Sequence, residues 1–120
     1  MKSILAFAAI LLVCAQAADV MGGYKQMDPQ EALESTIFKN GLNFGLKEFV
    51  SQAVADNQLL SDEQIIIKVN SIYAQVVNGL NIVYDVDIED SQGEVHNVNF
   101  SVYSLPRANV QRLTSYVVRH

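Results

Sequence analysis

Two segments in the second half of the chain alternate between apolar and polar side chains, and this pattern constrains the fold more than any other feature of the sequence. They cover residues 80–89 and 98–102. A period of two is typical of antiparallel strands that bury one face and leave the other in water. A further strand is predicted over Ile65–Val77, where the phase slips near Asn70-Ser71 and indicates a bulge. The final strand is predicted over Leu113–Val118.

A segment with helical spacing precedes these strands. Apolar residues recur at steps of three and four over residues 33–53. Asp28-Pro29-Gln30-Glu31 is typical of a helix N-terminus, with a capping side chain, a proline and an acid. Asn40-Gly41 predicts a break between a short first helix and the main one, and Gly41 and Gly45 would share a face that contacts a sheet closely. A helix followed by strands predicts an α+β domain.

The first residues have the pattern of a secretory signal peptide. Lys2 precedes an apolar run over Ile4–Val13, and Ala15-Gln16-Ala17 has the small residues of a cleavage site. The run is too short to span a bilayer, so no membrane partner is expected. We predict a signal peptide over 1–17, a secreted, extracellular domain over 18–120, and a mature chain that begins at Ala18, with a buried N-terminal helix as the alternative. Intact mass of the secreted protein tests this.

The only cysteine, Cys14, lies inside the predicted signal peptide. Because no disulfide can then form within the mature chain, we expect its melting curves with and without a thiol to overlay. A lower melting temperature in reductant would show that Cys14 is retained and pairs between chains.

The composition leaves little for catalysis or for nucleic acid. The chain has 8 Lys+Arg against 13 Asp+Glu, a net charge of −5, which disfavours binding to a phosphate backbone. The two histidines, His96 and His120, are far from forming a cluster with metal-ligand spacing. His96 is predicted to be a strand surface residue. We therefore expect no enzyme activity, no metal and no cofactor.

Three separated features are more specific when they are considered together. They are Gly22-Gly23 just after the predicted cleavage site, Gln75-Val76-Val77-Asn78-Gly79 between two strand patterns, and Ser104-Leu105-Pro106-Arg107 after another strand. Each alone has an ordinary explanation: a flexible tail, a hairpin turn and a proline that ends a strand.

Together these features resemble the cystatin superfamily of cysteine-protease inhibitors. Gln75–Gly79 matches its Gln-x-Val-x-Gly signature, and Leu80–Val86 continues like the following family strand. Gly41–Phe49 is similar to the family's main helix, and Phe100–Pro106 to the strand that enters its second binding loop. The resemblance implies a cystatin domain over 18–120, with an α+β fold in which a cystatin-like antiparallel β-sheet wraps around one main α-helix.

The chain also departs from the family pattern. Secreted animal cystatins usually have disulfides and a Pro-Trp second loop, whereas Arg107 follows Pro106 here. Leu105-Pro106 matches the disulfide-free stefin branch, whose members usually lack a signal peptide. For the asparagine-dependent site through which some cystatins inhibit legumain, Asn57 is only a weak candidate.

The resemblance implies a reversible, tight-binding inhibitor of papain-like cysteine proteases of the cathepsin type. An N-terminal arm and two hairpin loops would form a wedge that enters the active-site cleft. The alternative is a cystatin-fold secreted binding or structural protein without inhibition. The implied protease-binding residues are Val20, Met21 and Gly22 in the arm, Gln75, Val76, Val77, Asn78 and Gly79 in the first loop, and Leu105 and Pro106 in the second.

Two further expectations concern modification and assembly. Asn99-Phe100-Ser101 is a glycosylation sequon, and alternation places Asn99 on the wet face of its strand. The expected state is a monomer, and the family resemblance adds domain swapping into dimers through the first hairpin.

Overall fold

The computed structural model describes residues 23–119, and its elements form one antiparallel sheet with a helix across one face. The strand order is β1-β2-β3-β4-β5. The fold class predicted from the sequence is confirmed. The predicted signal peptide and the arm residues Val20–Gly22 lie outside the described residues. The elements are β1 (Lys25–Met27), α1 (Pro29–Ala32), α2 (Thr36–Ala55), β2 (Gln64–Val77), β3 (Gly79–Asp90), β4 (Val95–Leu105), a 3₁₀ turn (Pro106–Ala108) and β5 (Val110–Arg119).

The helical region begins as predicted but is interrupted at a different place. Asp28 caps α1, because its Oδ2 accepts a hydrogen bond of 3.0 Å from the Glu31 amide. The break lies at residues 33–35, and Asn40-Gly41 is inside α2, so the predicted break there is wrong. Low helix propensity at Gly41 is outweighed by tertiary packing: a Cβ at this position would collide with the Tyr84 hydroxyl. Within residues 23–119, no helix combines the length and apolar character that crossing a bilayer requires.

The core lies between α2 and the inner face of the sheet. Phe49 is fully buried, stacks on Phe100 at 5.7 Å between ring centroids, and meets Tyr116 edge-on at 5.3 Å. A Cβ on Gly45 would lie 2.7 Å from Val102 Cγ2, so α2 approaches β4 more closely than a larger residue would allow. The two glycines on one helix face therefore do contact the sheet, as their spacing predicts.

Strand β2 is irregular and partly uncovered. Its register with β3 shifts between Val69 and Ser71, which confirms the bulge predicted near Asn70-Ser71, and shifts again between Ile66 and Lys68. On its other side, β1 pairs only with Ile72–Ala74. The β2 residues before this pairing include the exposed side chains of Ile65 and Ile67, which are 62% and 48% exposed.

A buried phenol makes the stability sensitive to alkaline pH. Tyr84 is fully buried, its hydroxyl donates a 2.7 Å hydrogen bond to the Phe38 carbonyl in α2, and burial raises its pKa well above the usual range. An unfolded tyrosine loses its proton near about pH 10. The stability that depends on neutral Tyr84 is therefore present below that pH and is lost as the pH rises.

We accordingly expect Tyr84→Phe to reduce the free energy of unfolding by about 0.5–1.5 kcal/mol at neutral pH, through the lost hydrogen bond. The same variant should lose less stability than the wild type between about pH 9 and about pH 11. Urea unfolding across that range measures both effects. An identical alkaline decline in the two proteins would assign the decline to other groups.

Candidate functional site

Three parts of the chain meet at one end of the sheet, which we call the loop end. It consists of the residues just before β1, the β2–β3 hairpin tip at Asn78 and the β4–β5 connection over Pro106–Asn109. Strand β1 runs antiparallel to β2 with Lys25 opposite Ala74, so the chain before Lys25 leads toward the hairpin tip. A Cβ on Gly23 would lie 3.2 Å from Gln75 Nε2, which places the start of the described chain beside the first hairpin.

The first hairpin is tighter than the five-residue loop Gln75–Gly79 that the resemblance implies. β2 continues through Val77, which pairs with Gly79, so Asn78 alone forms the connection. The end of β2 at Val77 agrees with the strand predicted over Ile65–Val77, so Gln75, Val76 and Val77, which the resemblance assigns to the first loop, belong to the strand. Val76 is 82% exposed and Val77 is 45% exposed, although both are large and apolar. Two exposed valines at a rigid strand end are suited to fill apolar pockets of a partner.

Gln75 faces the body of the hairpin. Its Oε1 accepts a 3.2 Å hydrogen bond from Asn81 Nδ2 on β3. The side chain is half-buried. This bond joins β2 to β3 next to the hairpin tip, so Gln75 supports the shape of the first hairpin.

Gly79 occupies a position that only glycine fits without strain. Its φ is +110°, a region that residues with a side chain rarely adopt. A Cβ at this position would lie 2.7 Å from the Ser104 carbonyl oxygen and 2.8 Å from Tyr103 Oη, so β4 closes over the hairpin tip. The turn therefore depends on Gly79 both for its backbone angle and for its packing.

The second loop begins with a half-buried Leu105 and an exposed Pro106 that starts the 3₁₀ turn. Asn109 ends the turn with a φ of +55°. Proline at the start of a turn needs no amide partner. Because Ser104 pairs with Leu80 at the start of β3, Leu105 and Pro106 lie beside the first hairpin.

Polar contacts join the two loops directly. Arg107 Nη2 donates a 2.7 Å hydrogen bond to Asn78 Oδ1, and the Tyr103 hydroxyl donates to the Asn78 carbonyl oxygen. The Arg112 guanidinium lies 4.8 Å from the centroid of the Tyr103 ring. Sequence reasoning did not single out Tyr103, because no local pattern signals its contact with Asn78, 25 positions away, and it did not single out Arg112, which lies over Tyr103.

Charge is distributed unevenly along the sheet. Residues 23–27, 70–84 and 100–112, which form the loop end and the strands that lead to it, contain no acidic residue. The acids of β3 and of the β3–β4 turn lie toward the opposite end. The sheet part of the loop end therefore has no charged side chains other than basic ones, although the whole chain is acidic. Its basic residues are Lys25, Arg107 and Arg112.

The other candidates from the sequence lie elsewhere. His96 is near the start of β4, with Nε2 at 3.9 Å from Glu94 Oε1. Asn57 has a φ of +61° in the α2–β2 connection at the opposite end. Asn99 lies in the middle of β4, where its Oδ1 accepts a 3.3 Å hydrogen bond from Arg119, and its glycosylation stays a prediction. Over the described range, no group of three or more histidine, cysteine or acidic side chains is placed to hold a metal ion.

Comparison with known proteins finds similar folds among solved structures. No family model matches the chain, and no curated protein matches its sequence. Among solved structures, the salivary cystatin of the soft tick Ornithodoros moubata is similar over 82% of this chain and 98% of its own, with 20% identity and a TM-score of 0.54. Al-CPI is similar over 82% of this chain and 100% of its own, with 20% identity and a TM-score of 0.56. The fold is therefore cystatin-like.

Proposed function

We propose that this chain with a cystatin-like fold is a secreted, reversible inhibitor of papain-like cysteine proteases. The observation that carries the proposal is the meeting of three elements at the loop end, in the order that a cleft-filling wedge requires. The same end presents exposed Val76, Val77 and Pro106. Similarity to a salivary cystatin supports secretion, in agreement with the predicted signal peptide.

The geometry suggests why such a wedge would resist cleavage. A protease binds the segment that it cuts in an extended form through the catalytic centre. The first hairpin is a two-stranded ladder that turns at Asn78 and is closed by Gly79. Such a tip can fill the cleft beside the catalytic centre with side chains, while its paired backbone is not free to thread through. Burying Val76 or Val77 in a pocket would contribute roughly 1.5–3 kcal/mol each.

Arg107 favours a second candidate function, that of a binding or structural protein without inhibition. Arg107 occupies the position after Pro106, where secreted animal cystatins usually have a tryptophan. Its guanidinium donates a hydrogen bond to Asn78. A cystatin-like fold can serve as a secreted binding or structural protein without inhibition.

Titration of the mature protein against papain decides between the two functions. We expect a fall in activity that ends at a one-to-one ratio. Val76→Asp should weaken inhibition by tenfold or more, since a charge in an apolar pocket costs at least about 1.4 kcal/mol.

The matched control is Val95→Asp, because Val95 is 51% exposed at the opposite end of the sheet. It should inhibit like the wild type. Equal weakening by both substitutions would remove the loop end from the mechanism, and a wild-type protein that leaves papain and a cathepsin fully active would favour the non-inhibitory alternative.

A further inference from the structure

We propose that Arg107 is a positioning residue that fastens the second loop to the tip of the first hairpin, so that the two loops form one preformed binding surface. The importance of that surface for protease binding rests on the function proposed above. The fastening itself is a property of the free protein.

The contact is specific in its geometry. Arg107 Nη2 and Asn78 Oδ1 are 2.7 Å apart, at the short end of the range for hydrogen bonds from a charged donor. The Asn78 carbonyl oxygen accepts from Tyr103 at the same time, so both oxygen atoms of Asn78 are held from the β4 side. Asn78 is the only residue between the paired Val77 and Gly79. A bond to Asn78 therefore acts on the whole tip.

The same contact also holds the second loop in place. Pro106–Ala108 is a single 3₁₀ turn on the surface, and Arg107 is its central residue. Arg107 and Asn78 are 29 positions apart in sequence, so one hydrogen bond joins two connections that are otherwise linked only through β3 and β4. This arrangement places Arg107 against its own chain in the free protein.

The hydrogen bond between Arg107 and Asn78 affects protease binding because it orders the two loops before the complex forms. A surface that must be ordered during association loses roughly 0.5–1.5 kcal/mol for each immobilised side chain, which corresponds to about a two- to twelvefold change in affinity. An exposed hydrogen-bonded pair is individually weak. We therefore expect loss of the fastening to weaken inhibition about three- to tenfold and to change the melting temperature very little.

The first test uses the free protein and needs no protease. Hydrogen exchange is compared for wild type, Arg107→Ala, Asn78→Ala and Arg119→Ala. Arg119 is the matched control, because its Nη1 donates a 2.7 Å bond to Asn97 Oδ1 toward the other end of the sheet. Arg107→Ala and Asn78→Ala should each raise amide exchange at Asn78–Leu80 and at Arg107–Val110, whereas Arg119→Ala should leave both segments unchanged. Unchanged exchange in Arg107→Ala would overturn the proposal.

The second test measures whether Arg107 acts through Asn78. Inhibition constants for papain are determined for Arg107→Ala, Asn78→Ala and the double variant. We expect Arg107→Ala to weaken inhibition in the wild-type background and to have little further effect when Asn78 is already alanine. Asn78→Asp, which keeps the acceptor oxygen, should retain the protection of both segments. Full additivity would show that Arg107 contacts the protease directly and would contradict the proposal.

The two tests separate this inference from the proposed function. A wild-type protein without inhibitory activity would refute the proposed function, and the exchange result would still decide whether the two loops are fastened. Inhibition by the wild type together with unchanged exchange in Arg107→Ala would refute only the fastening.

Discussion

Gly79→Val is expected to destabilise the protein strongly and to abolish tight inhibition. Valine is strained at a φ of +110°, at a cost of about 1–3 kcal/mol. Its Cβ would also lie 2.7 Å from the Ser104 carbonyl oxygen, a backbone atom that can move only with β4, and such overpacking costs a further 1–3 kcal/mol or so. Together these costs are a large fraction of the roughly 5–15 kcal/mol that stabilises a typical domain. Urea unfolding and the inhibition constant against papain measure the two losses.

Gly93→Val is the matched control for this substitution. Gly93 has a φ of +82° in the β3–β4 turn at the opposite end of the sheet, and the nearest atom to an added Cβ is Glu89 Oε2 at 4.0 Å. The variant should therefore show the backbone strain without the collision, and should inhibit like the wild type. If Gly79→Val were as stable and as inhibitory as Gly93→Val, the closed hairpin at Gly79 would not matter for function.

Removal of Ala18–Met21 is expected to weaken inhibition by roughly thirtyfold to a thousandfold. The deletion takes away Val20 and Met21, which the family resemblance assigns to apolar pockets, and full burial of both would contribute roughly 3–6 kcal/mol. Ordering the arm offsets part of this, at roughly 0.5–1.5 kcal/mol for each flexible side chain, which leaves about 2–4 kcal/mol. The direction of β1, which leads the preceding chain toward the first hairpin, supports this expectation.

Most of the change should be a faster dissociation rate, because related interfaces differ mainly in that rate. The melting temperature should hardly change, since β1 and the core remain intact. Val20→Ser combined with Met21→Ser keeps the arm at full length and should reproduce most of the loss. Inhibition constants that are equal for the full and shortened arms would exclude the arm from the mechanism.

The parts of the fold that were predictable are those with long regular patterns. Alternation over residues 80–89 extends through almost the whole of β3, so its strand and its buried face were both correct. β1 has three residues and depends on pairing with Ile72–Ala74, far along the chain, which no local pattern reveals. β5 begins at Val110, before the predicted Leu113, because residues 110–112 pair with the end of β4.

Some parts of the candidate site were likewise predictable from the sequence and others were not. The signature Gln75–Gly79 and the pair Leu105-Pro106 were identifiable from resemblance, because they are short contiguous motifs. Their relative placement required the register of Leu80 opposite Ser104, which brings both connections to the same end. The bond between Arg107 and Asn78 could not be predicted, since it depends on that register and on the rotamer of a long side chain.

The two register shifts in β2 have a consequence for how copies of the chain meet one another. An uncovered edge strand offers unpaired amide and carbonyl groups, and a regular apolar one recruits strands from other molecules into a growing sheet. The edge next to Ile65 and Ile67 is apolar, but its pairing is out of step at Ile66/Lys68 and again at Val69/Ser71. An incoming strand would lose alignment within a few residues and would meet the exposed charge of Lys68. The irregular edge is therefore a poor template for fibril growth, although it exposes two isoleucines.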